Sequence, residues 1–178
     1  MKAFFDIETG GFSITKNGVC EIGLIVIDDN YNYIDTFYSL IKPYKREDSD
    51  ELVSYKDDAM AINGLTVEQL ERDGEEIIIV LLDLINALKS NNVTEIIGHN
   101  SKVFDTPRID YLLTRFLKCD LSFLKQEDTM EIAKLKLKLP SYSLESLCKH
   151  FGIVNEKQHS ALGDVMATIE LYKQLMKL

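Results

Sequence analysis

The 178-residue chain has no apolar run long enough to cross a bilayer, which takes about 20 residues. Its richest run, IIIVLLDLINAL (77–88), is too short and carries Asp83, so no membrane span is expected. The N-terminus lacks a basic segment and a small-residue cleavage site, so no secretion signal is read and a cytoplasmic location is expected. Cysteine is scarce: Cys20, Cys119 and Cys148 lie far apart with no C-x-x-C pair, which fits reduced thiols better than a zinc site or disulfide framework. Basic residues are outnumbered, 20 Lys and Arg against 29 Asp and Glu, for a net charge of −9. That balance argues against a broad basic surface that wraps duplex by neutralising many phosphates. It leaves room for contact with a few phosphates through cations held by clustered carboxylates. No repeat, low-complexity tract or linker divides the chain, and 46% hydrophobic content suits one well-cored domain over 1–178.

The opening segments read as strands: KAFFDIE (2–8), GVCEIGLIVID (18–28) and YIDTFYSLIK (33–42), separated by Gly10 and Gly11 and by the turn-forming DDNYN. Their short connections predict an antiparallel meander. The stretch 42–58, rich in charge and poor in core residues, reads as a surface excursion. Thr66 and Gln69 form a capping-box pattern that opens a short helix closed by Gly74. Residues 75–90 are apolar nearly all round, which predicts a well-buried helix. TEIIGHN (94–100) reads as a fourth strand, and 106–119 as a helix with Thr106 at its N-cap and Pro107 first inside. A fifth strand falls within 121–129; MEIAKLKLKL (130–139), SLESLCKHFG (143–152) and 160–178 read as helices. The order implies an α/β fold, a mixed sheet flanked by helices.

Within FFDIETGG (4–11), alternation along a strand puts Phe4, Asp6 and Glu8 on one face and Ala3, Phe5 and Ile7 on the other. Two neighbouring carboxylates repel each other unless a cation joins them, and Lys2 is the only basic residue of matching parity. Either a metal joins them or they lie on a solvated edge face. Asp105 follows the fourth strand, where an N-cap role competes with a site role, and Asp164 stands near the start of the last helix, where a solvated first-turn acid is ordinary. His159 would sit about 140° from Asp164 if both were helical, so it must lie in the preceding loop to reach the same centre.

Three ordered motifs, DIETGG, HNSKVFD and HSALGD, resemble those of the DEDDh, DnaQ-like 3′→5′ exonucleases, related to the proofreading epsilon subunit of bacterial DNA polymerase III. INGLT (62–66), EDTMEIAK (127–134) and SYSLESLCKHFGI (141–153) extend the resemblance over nearly the whole chain. It implies a ribonuclease H-like fold with a five-stranded mixed sheet, Asp6, Glu8, Asp105 and Asp164 as ligands of two divalent cations, and His159 as general base. Two ions about 3.5 to 4 Å apart serve both ends of a phosphodiester displacement. Hard oxygen ligands suit Mg²⁺ or Mn²⁺ over zinc. A histidine titrating near neutrality can take a water's proton.

Candidate substrate contacts are Thr9, Gly11, Phe12, Leu65 and Asn100. Gly10 replaces the second threonine of the D-x-E-T-T-G pattern of many relatives, and Asn63 stands where histidine is frequent. Phe12 either stacks on a terminal base or joins the core, and His99 with Asn100 either orients the site or caps the strand. The expected partner is a single-stranded nucleic acid 3′ end, DNA in preference to RNA. Action alone is favoured over docking on a DNA polymerase, because no long tail announces a tether. An RNA-trimming enzyme similar to ribonuclease T or oligoribonuclease and a non-catalytic binding subunit are the alternatives.

Overall fold

Three strands open the chain in the computed structural model, which describes residues 1–178: β1 (Lys2–Thr9), β2 (Val19–Ile27) and β3 (Tyr33–Leu40). They pair antiparallel as the expected meander, and β4 (Glu95–Gly98) and β5 (Lys125–Asp128) add in parallel beyond β1, giving the order β3-β2-β1-β4-β5. The helices are α1 (Asp57–Asn63), α2 (Val67–Asp73), α3 (Ile77–Ser90), α4 (Asp105–Leu117), α5 (Thr129–Lys136), α6 (Leu144–Phe151) and α7 (Ala161–Met176). No helix is long and apolar enough to cross a membrane.

Side-chain alternation sorts the two faces of the sheet. Ala3, Phe5 and Ile7 of β1, with Ile22, Leu24 and Val26 of β2, meet α3 and α4 in the larger core. Phe4, Ile25 and Ile27 face the other way, onto Val165, Ile169 and Tyr172 of α7. A third cluster joins α5, α6 and α7 through Ala133, Leu147, Leu171 and Leu175. Cys20 and Cys148 are buried, Cys119 is exposed, and none is paired.

Four expectations need correction. The 42–58 excursion is anchored, because Tyr44 and Val53 enter the main core and α1 begins inside it at Asp57. Only one face of α3 is buried; Ile78, Ile79 and Leu82 stand on its outer face, 45–47% exposed. Phe104, not Thr106, stands at the N-cap position of α4, and no side chain caps the helix there. The helix begins at Asp105, whose carboxylate turns back to the Ile7 N–H, and Pro107 still fits where first-turn N–H groups need no helical acceptor. Finally, α5 stops at Lys136, consistent with the bias of Pro140 against helix in the residue before it, and the Tyr142 hydroxyl then ties Leu137 and Leu139 into a loop.

Candidate active site

Asp6 and Glu8 continue the row that Phe4 begins on the α7 face of β1, past the point where apolar packing stops. Asp164 comes to them from the first turn of α7. One carboxylate oxygen from each of the three lies within 4.8 Å of the others, and all three residues are half-buried. Asp105, 3% exposed, is not in that tight group: its Oδ1 accepts the Ile7 N–H at 3.2 Å, one residue from Asp6. His159 lies in the loop before α7, as its spacing from Asp164 requires, with a left-handed backbone (φ 63°) and an exposed side chain beside a pocket shared with Asn155 and Asp164.

Glycine makes these approaches possible at two positions. A Cβ on Gly23, opposite Asp6 in β2, would come 2.8 Å from the backbone at Ala161 and Leu162, so glycine lets α7 reach the sheet. A Cβ on Gly163 would meet the Lys157 carbonyl, so glycine lets the His159 loop fold over the first turn of α7.

None of the ion pairs in the protein involves Asp6, Glu8, Asp105 or Asp164. Their protons are held accordingly. Burial raises Asp6 well above the usual carboxylate range, and repulsion from Asp105, Asp164, Glu8 and Glu21 adds to it. Glu8 is lifted to about 8 by burial, then by Asp164, Glu21 and Asp105. Burial carries Asp105 to about 7 against the pull of the Ile7 N–H, its own N–H and Arg108. Asp164 is raised by burial, opposed by its bond to Asn155 and the charge of His159. Crowded carboxylates in no ion pair with lysine or arginine, offering only oxygen, fit a hard divalent cation.

Beside the acids, Thr9 Oγ1 donates to the Gly11 carbonyl at 3.1 Å. Arg108, 4% exposed, donates to the carbonyls of Gly11 (3.3 Å), Phe12 (2.5 Å) and Phe104 (2.9 Å), with its guanidinium 3.7 Å from the Phe104 ring centroid. This brace holds Phe12 outward at 80% exposure, edge-on to Phe104, so Phe12 is not a core residue. Leu65 is 9% exposed and packs with Cys20 and Leu70, while Asn63 reaches the Thr9 carbonyl at 3.4 Å. His99 is structural: its ring bonds Thr129 Oγ1 and the Tyr142 carbonyl. Asn100 adopts φ 60°, and its N–H bonds Asp128, which also takes the Lys102 N–H and caps α5.

Sequence reasoning missed four of these supports. Asn155 Nδ2 donates to Asp164 Oδ1 at 2.5 Å, Arg108 braces the Phe12 turn, Asp128 fixes the loop after β4, and Glu21 stands opposite Glu8, its Oε1 accepting the Ala161 N–H at 2.9 Å. The glutamate in CEIG, on an otherwise apolar strand, was the one visible signal among them.

The RNase_T family, described as exonuclease, matches residues 3–172. Among curated relatives, the PolC-type DNA polymerase III of Thermotoga petrophila is 30% identical over 97% of this chain, and that of Clostridium perfringens is 31% identical over 95%. The chain spans only 12% and 11% of their lengths. Escherichia coli exonuclease I, solved in complex with a dT13 oligonucleotide, superposes with a TM-score of 0.81 at 23% identity, over 98% of this chain and 40% of that one. The chain therefore belongs to the RNase_T exonuclease family, within the DnaQ-like group.

Proposed function

We propose that residues 1–178 act as one 3′→5′ exonuclease domain, removing nucleoside monophosphates from the 3′ end of single-stranded DNA. The observation that carries this reading is the meeting of Asp6, Glu8 and Asp164 within 4.8 Å, with no cationic side chain paired to them and Asp105 adjoining. These four acids would hold two divalent cations, Mg²⁺ or Mn²⁺, which when bound supply Lewis-acid activation of water and charge stabilisation at the departing 3′ oxygen. His159, exposed beside Asp164, takes the proton of the attacking water as the P–O3′ bond breaks. Phe12 stacks on the terminal base and the main chain at Thr9, Gly11 and Asn100 positions the strand, whereas Leu65, buried against Cys20 and Leu70, backs the site from within and does not meet substrate. Asn155 orients Asp164.

The oligonucleotide bound by exonuclease I supports a DNA substrate, and the polymerase relatives support a proofreading role on 3′ ends presented by a DNA polymerase, over action alone. The test is a 5′-labelled oligonucleotide assay with Mn²⁺, comparing DNA with RNA and wild type with His159→Ala. Stepwise shortening of DNA is expected, with the rate reduced about 10²- to 10⁴-fold in the variant. Faster shortening of RNA would assign the domain to RNA trimming. No metal-dependent shortening by the wild type would leave a binding subunit.

A further inference from the structure

We propose that Glu21 is a positioning residue: it fixes the first turn of α7 to the sheet and thereby sets where Asp164 and His159 stand relative to Asp6 and Glu8. The proposal rests on the reading above, in which Asp164 is a cation ligand.

Glu21 faces α7 from the middle of an apolar strand and is 3% exposed. It lies directly opposite Glu8 in the β1–β2 ladder, where two carboxyl groups oppose each other, and it makes no ion pair. Its Oε1 instead accepts the N–H of Ala161, a fully buried residue, at 2.9 Å. Ala161 is the first residue of α7, and its N–H has no acceptor within the helix. Ser160 Oγ takes the N–H of Gly163, so these two acceptors satisfy two of the donors that the first turn leaves free. Asp164 lies three residues further on, about one turn, and its N–H closes on the Ser160 carbonyl. The backbone position of Asp164 is therefore set by the turn that Glu21 holds, while Asn155 orients its carboxylate. Gly23 acts from the other side: two residues along β2 and opposite Asp6, it leaves the space that the Ala161–Leu162 backbone occupies. Glu21 draws the helix in and Gly23 admits it. An acid two positions before that glycine thus serves the site without contacting substrate.

Three substitutions separate reach from charge. Gln keeps an acceptor at the same distance from Ala161 and lacks the charge; Asp keeps the charge and falls a methylene short; Ala has neither. Mn²⁺ affinity by isothermal titration calorimetry and kcat and KM on a DNA oligonucleotide are measured for each, with the metal-free melting temperature as the check on folding. Glu21→Gln is expected within about 3-fold of wild type, whereas Glu21→Asp and Glu21→Ala are expected to weaken Mn²⁺ binding and lower kcat about 10- to 100-fold, with KM changed less. Gly23→Ala, which displaces the same turn with Glu21 intact, is expected to weaken Mn²⁺ binding likewise. Should Glu21→Ala fail to fold, the contrast between Gln and Asp carries the test. Asp behaving as wild type and Gln as Ala would overturn positioning in favour of charge. All three matching a wild type that binds Mn²⁺ and cleaves would overturn Glu21 alone, and a wild type that does neither would overturn the site reading beneath it.

Discussion

Asp105 Oδ1 accepts the main-chain N–H of Ile7 at 3.2 Å, joining the start of α4 to β1 between its two acids. The carboxylate thus has a structural duty beside any cation-binding one, and two substitutions separate them. Asp105→Ala leaves a buried N–H without an acceptor and is expected to lower stability by about 1–3 kcal/mol in urea unfolding. Asp105→Asn keeps an acceptor oxygen and removes a charge that raises Asp6. Its metal-free melting temperature is expected to equal or exceed wild type, while the rise on adding millimolar Mn²⁺ is lost.

The raised carboxyl groups make metal-free stability depend on pH. Glu8, held up to about 8, and Asp105, held to about 7, keep their protons in the folded protein at pH values where the unfolded chain has released them. Folded protein then binds more protons than unfolded, so stability falls as pH rises. The contribution is fully present below the unfolded values near 4 and is lost as pH passes through about 7 and 8. Thermal melts in chelator are expected to show a higher melting temperature at pH 5 than at pH 8. Saturating Mg²⁺ is expected to flatten that slope.

Phe12 is so exposed that its truncation costs the fold little. Phe12→Ala is expected to change stability by less than about 0.5 kcal/mol. Loss of base stacking is expected to weaken oligonucleotide binding by about 1–3 kcal/mol, read as a raised KM.

Arg108 supports Phe12 from beneath, and its loss acts differently. Arg108→Ala leaves the Phe12 carbonyl without its donor and the Gly11 carbonyl with Thr9 Oγ1 alone, and is expected to lower stability by about 1–3 kcal/mol and to raise KM as well. Phe12→Ala combined with Arg108→Ala is expected to raise KM no further than the larger single effect, because the arginine acts on KM through the phenylalanine.

Much of the fold, and Asp6 and Glu8 within the site, were legible because they rest on local periodicity, whereas Asp105 and Asp164 were singled out by the resemblance of their motifs. Alternation along 2–8 placed Asp6 and Glu8 on one face, and the geometry of a helical turn put His159 in the loop before Asp164. What was hidden depends on partners remote in sequence. Asn155 and Arg108 look like ordinary surface residues until the fold brings Asp164 and the Gly11–Phe12 turn to them, and Asp105 at the start of α4 bonds a strand 98 residues away. Phe12 is aromatic and adjoins two glycines, but its exposure is set by an arginine on another helix. Hydrophobicity nearly all round α3 predicted a well-buried helix, whereas only one face is buried.

The sharpest test is a crystal soaked in Mn²⁺ and measured at an anomalous wavelength. Anomalous density is expected among the carboxylates of Asp6, Glu8, Asp105 and Asp164 and is expected to vanish in Asp164→Asn. A Mn²⁺-saturated crystal with no peak at these four residues would contradict the claim that they converge to share divalent cations.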